Sequence, residues 1–332
     1  MPTTNPVVSG LTNYVQENRE VLIKNFALAS NGTRSRIGVQ TGIKNKEHLH
    51  YFAVAPTLQD GSACGFSAAG DATISERTIE VAPIKVNLDW CNMLLRGKYA
   101  EYLVRINANE NANNMAFEEY MVEALTNELN KKIEKLIWQG DKTSSSTDLK
   151  WIDGLLEQFS DESSSLAASV SIASGKSAYE GILAVYMQMP EETLAKGGVI
   201  FVSPSIFRAF VQDLVAANYY HFNPSDASFE EIIFPGSDVK VVKTPGLAGS
   251  LKIVGTFAEN LVYGTDMEGD FEDLRIWFSD DDDVWKVKVL WASGIAYHFP
   301  DQVVVGTFAA APAALNPIVI SNAAIAENTA GE

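Results

Sequence analysis

Residues 116–141 read AFEEYMVEALTNELNKKIEKLIWQGD, and the rest of the chain is organised around this stretch. Apolar side chains recur every fourth residue, at Phe117, Met121, Leu125, Leu129, Ile133 and Ile137, while Ala124 and Leu136 widen the stripe. Charged and amide side chains fill the opposite face. The pattern predicts one amphipathic helix, which at 1.5 Å per residue spans about 35 Å over about 23 residues. Gly140 is predicted to end it.

Composition limits what the chain can be. With 332 residues and 46% hydrophobic content, it can bury a large core in one or two domains. The formal net charge is −17, and no run of lysines and arginines occurs in the sequence. Because phosphate binding needs a basic surface, these numbers argue against a nucleic-acid clamp.

Cysteine usage and the two ends of the chain give no sign of secretion or of a membrane span. Cys64 and Cys91 lack C-x-x-C spacing, which argues against a disulfide scaffold and a structural zinc site. The N-terminus has neither the basic nor the apolar segment of a signal peptide. Residues 302–326 carry no charge, but Gly306 and Pro312 interrupt them. They are predicted to form a strand followed by an extended tail.

Residues 37–88 change to the twofold period of strands. Leu49 to Ala55 alternate in one strand, and Ile74 to Leu88 form a second, whose alternation changes phase at Pro83, as at an edge or a bulge. Small residues and glycines fill the connection between them. Two interpretations stay open: an ordinary hairpin with a flexible loop, or a long projecting hairpin whose partner lies on another subunit. In the second, replacing residues 40–85 with a short turn should leave a folded monomer.

The second half of the chain is predicted to have an α/β organisation. Gly198 to Val202 is a short buried strand, and Ser203 and Pro204 are an N-cap and a first helical residue for the helix that follows. Short strands are predicted at residues 238–244, 251–257 and 260–266, between glycine and proline turns. In residues 285–291, Trp285, Val287, Val289 and Trp291 alternate with Lys286, Lys288 and Leu290, as in a strand with one buried face.

No catalytic motif is complete. Gly175-Lys176-Ser177 ends like a phosphate loop but lacks its upstream glycine, so capping of a helix by Ser174 or Ser177 is the better interpretation. His48 and His50 share a strand face without a nearby ligand cluster in the sequence and are interpreted as solvated or interface side chains. Asp280 to Asp283 lack calcium-loop spacing and are interpreted as a solvated turn.

The order of these parts resembles tailed-bacteriophage major capsid proteins of the Hong Kong 97 fold family. The resemblance rests on SERTIEVAPIKVNLDW (75–90), the long helix ending IWQGD, WIDGLLEQF (151–159) and GVIFVSPSIFRAF (198–210), and it covers residues 10–308. It implies an α+β fold divided into an N-terminal arm (1–36), an extended hairpin loop (37–88), a peripheral domain (89–176 and 270–308), an axial domain (177–269) and a C-terminal tail (309–332).

The resemblance also implies a function: self-assembly into hexamers and pentamers that form an icosahedral head around phage double-stranded DNA, with no enzymatic activity and no cofactor or metal. Its partners would be other copies of itself, a scaffolding protein, a portal protein and decoration proteins. It would be made in the host cytoplasm and reside in the virion. Apolar and aromatic side chains are the expected subunit contacts: Leu49, Tyr51, Phe66, Ile79, Val81, Tyr220 and Phe222. Unlike the type member of the family, the sequence shows no long acidic N-terminal propeptide, and the crosslinking lysine and asparagine of the type member are not matched.

Two other functions remain open from the sequence. An encapsulin-like nanocompartment shell would share the fold and hold cargo enzymes instead of a genome. A metal-assisted hydrolase would use Asp280 to Asp283 with His48 or His298. Size-exclusion chromatography would separate the hydrolase from either shell, and the neighbouring genes would separate the two shells.

Overall fold

The computed structural model describes residues 32–60, 69–91, 117–217, 230–266, 275–279, 281–282 and 284–312. In these ranges the strands are β1 Gly38–Gln40, β2 Lys46–Pro56, β3 Gly70–Glu80, β4 Ala82–Cys91, β5 Ala168–Ile172, β6 Gly198–Val202, β7 Glu231–Ile233, β8 Lys240–Lys243, β9 Lys252–Phe257, β10 Leu261–Gly264, β11 Arg275–Ser279, β12 Val284–Tyr297 and β13 Val304–Phe308. The α-helices are α1 Phe117–Gln139, α2 Leu155–Asp161, α3 Ala178–Tyr186, α4 Glu191–Ala195 and α5 Pro204–Ala216. The fold class is α+β, as predicted.

The predicted long helix is α1, and its 23 residues match the predicted length. Leu129, Ile133 and Ile137 of the predicted stripe are buried, and so is Trp138, which widens the buried face. Gly140 follows the helix because of a close backbone contact that the sequence pattern does not reveal. A Cβ on Gly140 would lie 2.4 Å from the carbonyl oxygen of Ile152, because the chain returns here and the Gly154 N–H donates to the Gly140 carbonyl. The helix therefore ends where two backbone segments pack without side chains.

A six-stranded sheet in the order β5-β13-β9-β6-β8-β7 forms the α/β part. Both faces of its central strand β6 are covered. Ile200 and Val202 pack with α3 and α5, whereas Val199 and Phe201 belong to the core that contains the α1 residues. Burial on both sides explains why this strand is apolar without alternation. The predicted Ser203 cap is confirmed, because its side chain accepts the Ile206 N–H and Pro204 follows at the first helical position.

A second sheet has the order β1-β10-β12-β11, and β4 also pairs with β12. Its longest strand, β12, buries Trp285, Val287, Val289 and Trp291, so the predicted alternation is confirmed. β13 pairs with β5, which the resemblance assigns to the same peripheral domain, and with β9, which it assigns to the axial domain. The proposed domain boundaries remain a prediction.

The stretch 74–88, predicted as one strand, is two strands in different sheets. β3 pairs only with β2 among the described strands, and β4 pairs with β12, with Pro83 opposite Ala292. The phase change near Pro83 thus marks the passage of the chain from the hairpin to the body. β1 likewise pairs with β10. Residues 37–88 are therefore partly body, so removing residues 40–85 would also remove buried parts of the subunit core. The expectation that this deletion leaves a folded monomer is not supported by the packing.

A short 3₁₀ turn, Thr33–Ser35, fixes the start of the described chain on α1. The Glu134 carboxylate accepts the Thr33 N–H at 3.1 Å, and the Trp138 indole N–H donates to the Thr33 hydroxyl at 2.7 Å. Arg34 is 1% exposed and donates to Asn130 at 2.8 Å, with its Nε 3.6 Å from Glu134. Because an unpaired buried charge is costly, this arrangement holds the segment at one place on the helix. The predicted arm, residues 1–36, lies mostly outside the described residues.

Candidate assembly surfaces

The hairpin formed by β2 and β3 has two unlike halves. In the half nearest the body, which we call the proximal half, Leu49, Ile79 and Val81 are buried and pack with Ile43 and Val262. Leu49 lies opposite Arg77, so the two side chains lie on the same face of the hairpin. The proximal half is part of the subunit core.

Arg77 fastens this half to the body. Its guanidinium carbon lies 3.9 Å from the centroid of the Tyr297 ring, and the guanidinium forms an ion pair with Glu162. The Tyr297 hydroxyl donates to the same Glu162 carboxylate at 2.8 Å. Burial raises the pKa of Tyr297, so this phenol remains a hydrogen-bond donor at neutral pH. The three side chains join β3, β12 and the residue that follows α2.

Lys142 holds the last residue of β3 in a similar way. Its ammonium lies 3.1 Å from a Glu80 carboxylate oxygen and 3.3 Å from an Asp153 oxygen. The hydrogen bond from Lys142 lowers the pKa of Glu80 below its usual value. All three side chains are partly exposed, so each ion pair is weak, and together they link the end of β3 to the body.

The distal half of the hairpin is different. Phe52 lies directly opposite Ile74, and Val54 is the next residue on the same face. These three side chains are 62%, 74% and 53% exposed, and Leu58 beyond them is 97% exposed. Several large apolar side chains together on one free surface are typical of a contact site for another protein. We call this surface, Phe52, Val54 and Ile74, the distal patch.

The predicted contact residues fall into two groups. Leu49, Ile79 and Val81 are buried within their own chain, so little of their surface is free to reach a neighbour. The side chain of Tyr51, and the residues Phe66, Tyr220 and Phe222, lie outside what the structure describes. The contact role of all seven stays a prediction. The distal patch was missed, although apolar residues on both faces near the tip of a two-stranded ribbon were a signal for it.

The segments considered for chemistry have structural roles. Ser177 and Glu180 form a reciprocal capping box at the start of α3, which confirms the capping interpretation. His48 and His50 are exposed, with ring centroids 6.3 Å apart, and each Nδ1 lies 3.9 Å from Glu76. In the described part of the chain, no group of three His, Cys, Asp or Glu side chains is arranged to hold a metal ion.

The acidic turn lies next to β12. Asp282 forms an ion pair with Lys286 and accepts the Ser279 hydroxyl at 3.2 Å. The hydrogen bond from Lys286 lowers the pKa of Asp282. His298 follows the other end of β12, on the order of 40 Å away along a 14-residue strand. The 14 residues of β12 therefore separate Asp282 from His298, and this arrangement does not favour a shared site.

Comparisons with known proteins find structural relatives and no sequence relatives. No family model matches the chain, and no curated protein matches it. A chain of the satellite phage P4 procapsid, from a structure including the size determination (Sid) protein, is similar with a TM-score of 0.57 and 12% identity over 92% of this chain and 98% of that one. A chain of Microbacterium phage Oxtober96 gives 0.53 and 11% over 84% and 91%. The capsid of an empty GTA particle gives 0.51 and 10% over 84% and 90%.

These matches extend over nearly the whole of both chains, so they describe a complete architecture and not a shared motif. At 10–12% identity they establish the fold and leave the function to be argued separately. No helix among the described residues is both long and apolar enough to cross a membrane. The chain has the Hong Kong 97-type fold of tailed-phage capsid proteins.

Proposed function

We propose that the chain is the major capsid protein of a tailed bacteriophage and assembles into hexamers and pentamers of an icosahedral head that encloses double-stranded DNA. The distal patch carries this proposal. Phe52, Val54 and Ile74 are exposed on a two-stranded ribbon, and such a ribbon is marginally stable in water unless another surface covers it. A neighbouring subunit is the natural cover in a repeating shell.

The fold supports the same function. The structures with TM-scores above 0.5 include one described as a procapsid and one described as a capsid, and each covers at least 84% of this chain. The charge also fits a container for DNA, because a net charge of −17 repels a polyanion and leaves only non-specific contact with it. We propose no catalytic role.

The remaining expectations are part of this proposal. The chain would reside in the virion after synthesis in the host cytoplasm, and a separate scaffolding protein would guide assembly. A portal protein would occupy one vertex, and decoration proteins would bind the finished shell. The division into arm, hairpin loop, peripheral domain, axial domain and tail belongs to the same proposal.

The test is assembly of the purified full-length chain, followed by sedimentation velocity and negative-stain electron microscopy. We expect closed particles from the unmodified chain. The variant Phe52→Ser/Ile74→Ser should remain a folded, unassembled subunit. Phe52→Leu/Ile74→Leu is the matched control, because it keeps apolar side chains at both positions and should assemble. An unmodified chain that stays monomeric up to its solubility limit would contradict the proposal, as would assembly of the serine variant at the normal rate.

A further inference from the structure

The face of the hairpin that carries the distal patch continues toward the body as a polar surface. Residues directly opposite each other in an antiparallel pair share a face, and every second pair of the ladder lies on the same side. From the tip inward, the pairs on this face are Phe52 with Ile74, His50 with Glu76, and His48 with Thr78. Leu49 and Arg77 lie on the other face, which is fastened to the body. The patch is therefore continuous with a pair of histidines.

The two histidines share one carboxylate. Their ring centroids are 6.3 Å apart, and the Nδ1 atom of each ring lies 3.9 Å from the same Glu76 oxygen. Histidine is the side chain that ordinarily changes its charge between about pH 5 and pH 8. One imidazolium would balance Glu76, whereas two would repel each other across a single carboxylate. We call His48, His50 and Glu76 the histidine cluster.

The other charged groups that face the histidine cluster balance one another. On the same face, Lys46 lies 3.6 Å from Glu80. Glu76 also lines a cleft toward the body, where Lys142 is paired with Glu80 and Asp153, and Arg77 with Glu162. In the described part of the chain, the two histidines are the ion-pair partners of Glu76. The net charge of this surface is therefore set by how many protons the two rings hold.

We propose that the contact made by the distal patch extends over the histidine cluster, and that a second copy of this chain binds this surface most tightly when the two histidines hold one proton between them. The proposal rests on the proposed function, since it assumes that copies associate through the distal patch. A stable protein contact buries about 800 Å² on each partner, more than the three side chains of the patch supply. The pair His50 and Glu76 adjoins the patch, about 7 Å along the ribbon.

Desolvation sets the direction of the pH dependence. Covering a charge that has no partner is costly, whereas a balanced pair costs less to cover. Above the histidine range the cluster carries an unbalanced carboxylate, and below that range it carries an unbalanced second imidazolium. Docking should therefore take up a proton at high pH and release one at low pH. Assembly should be strongest between these limits, near about pH 6.5.

The test measures the lowest concentration of the full-length chain that assembles, by sedimentation, at about pH 5.5, 6.5 and 8. The unmodified chain should need about two- to fivefold less protein at the middle pH than at either extreme. His48→Gln/His50→Gln removes both rings, so its profile gives the pH dependence of the rest of the chain. Relative to that profile, the unmodified chain should show an optimum.

Glu76→Gln makes the proposal specific. Without the carboxylate, the neutral cluster is the one that holds no proton, so assembly should strengthen steadily toward pH 8 instead of passing through an optimum. Glu47→Gln is the matched control, because it removes one carboxylate from the opposite face of the same ribbon and should keep the optimum. All variants should melt as the unmodified chain does by circular dichroism, since none of the replaced side chains is buried.

Three outcomes would overturn the proposal. The unmodified chain could follow the same profile as His48→Gln/His50→Gln, which would show that the contact does not cover the cluster. The optimum could persist in Glu76→Gln, which would exclude the shared proton. Assembly could also strengthen continuously as the pH falls, which would show that the doubly protonated cluster is preferred. Failure of the proposed function is seen separately, as absence of particles from the unmodified chain at every pH.

Discussion

The two halves of the hairpin share the same pair of strands, but their large apolar side chains lie on opposite faces of the ribbon. The proximal half places Leu49 and Ile79 in the core and is fastened by Arg77 to Tyr297 and Glu162. The distal half exposes Phe52 and Ile74. The body covers the proximal apolar side chains and leaves the distal ones exposed, and a two-stranded ribbon has no core of its own to cover them. Alternation in a sequence therefore shows that a strand has an apolar face, and the rest of the fold decides whether that face is covered.

The largest expected effect comes from a comparison in which an isoleucine of β3 is replaced with aspartate, once in each half of the hairpin. Ile79→Asp would place a carboxylate among Ile43, Val81 and Val262, at a position that is fully buried. The lost packing and the buried charge should cost more than about 4 kcal/mol, comparable with the stability of a whole domain. We expect no cooperative thermal transition by circular dichroism.

The matched variant is Ile74→Asp, at a position that is 74% exposed. The free energy of unfolding should change by less than about 0.5 kcal/mol, as for most surface substitutions. Closed particles should nevertheless disappear from electron micrographs, because a charge would enter the proposed subunit contact. If both variants unfolded, or if both assembled, the two halves would not differ in the way their burial indicates.

A second prediction concerns a variant in which the whole distal half of the hairpin is removed. Tyr51 and Ser75 are directly opposite in the ladder, so residues 52–74 can be replaced with Asn-Gly, which favours a tight hairpin turn. The shortened chain should melt within a few degrees of the full chain, because the buried side chains Leu49, Ile79 and Val81 remain. It should form no particles by sedimentation.

The longer replacement, from residue 40 to residue 85, provides the contrast. It would delete the same buried side chains together with the β4 residues Ala82 to Lys85, which pair with β12. We expect this chain not to fold. A folded, monomeric product of the longer deletion would show that the proximal half is dispensable and that the distinction between the halves lies elsewhere.

The success of sequence reasoning differs between these regions for physical reasons. Elements set by local rules were predicted well: the α1 stripe, the Ser203 cap and the alternation from Trp285 to Trp291 all follow from periodicity and short-range hydrogen bonds. The passage from β3 to β4 was missed, because a phase change near Pro83 does not reveal which sheet each side joins.

Contacts between distant parts of the chain could not be predicted from the sequence. Arg34 meets Glu134 after 100 residues, and Arg77 meets Tyr297 after 220 residues. The distal patch was missed because exposure depends on what lies beneath a strand, and the predicted contacts Leu49 and Ile79 turned out to be buried in the subunit. The residue types indicated that the hairpin carries a contact surface. Only the packing of the body showed that the distal half is the one that remains exposed.

A smaller effect concerns the anchor of the proximal half. Arg77→Ala removes the stacking on Tyr297 and leaves Glu162 without this ion pair. The free energy of unfolding should fall by about 1–2 kcal/mol, measured by urea denaturation. Arg77→Lys keeps the charge without the planar group and should recover about half of the loss. Equal losses in the two variants would show that the charge contributes nothing.

The smallest expected effect is a pH dependence at the end of β3. The hydrogen bond from Lys142 lowers the pKa of Glu80 below its usual value of 4.5, so ionised Glu80 is favoured in the folded chain. A group whose pKa falls on folding stabilises the fold above its unfolded pKa, and this contribution is lost as the pH falls through the folded value. Urea denaturation should therefore show a decline below about pH 4.5 that is smaller in Glu80→Gln. Because Glu80 is 43% exposed, the difference should stay below about 1 kcal/mol.

Lys142→Met should reduce the same decline, and the double variant should lose less stability at neutral pH than the two single losses added together, since both remove one interaction. Fully additive losses would mean that Glu80 and Lys142 do not act as a pair, and the hairpin would then be held by Arg77 and its buried face.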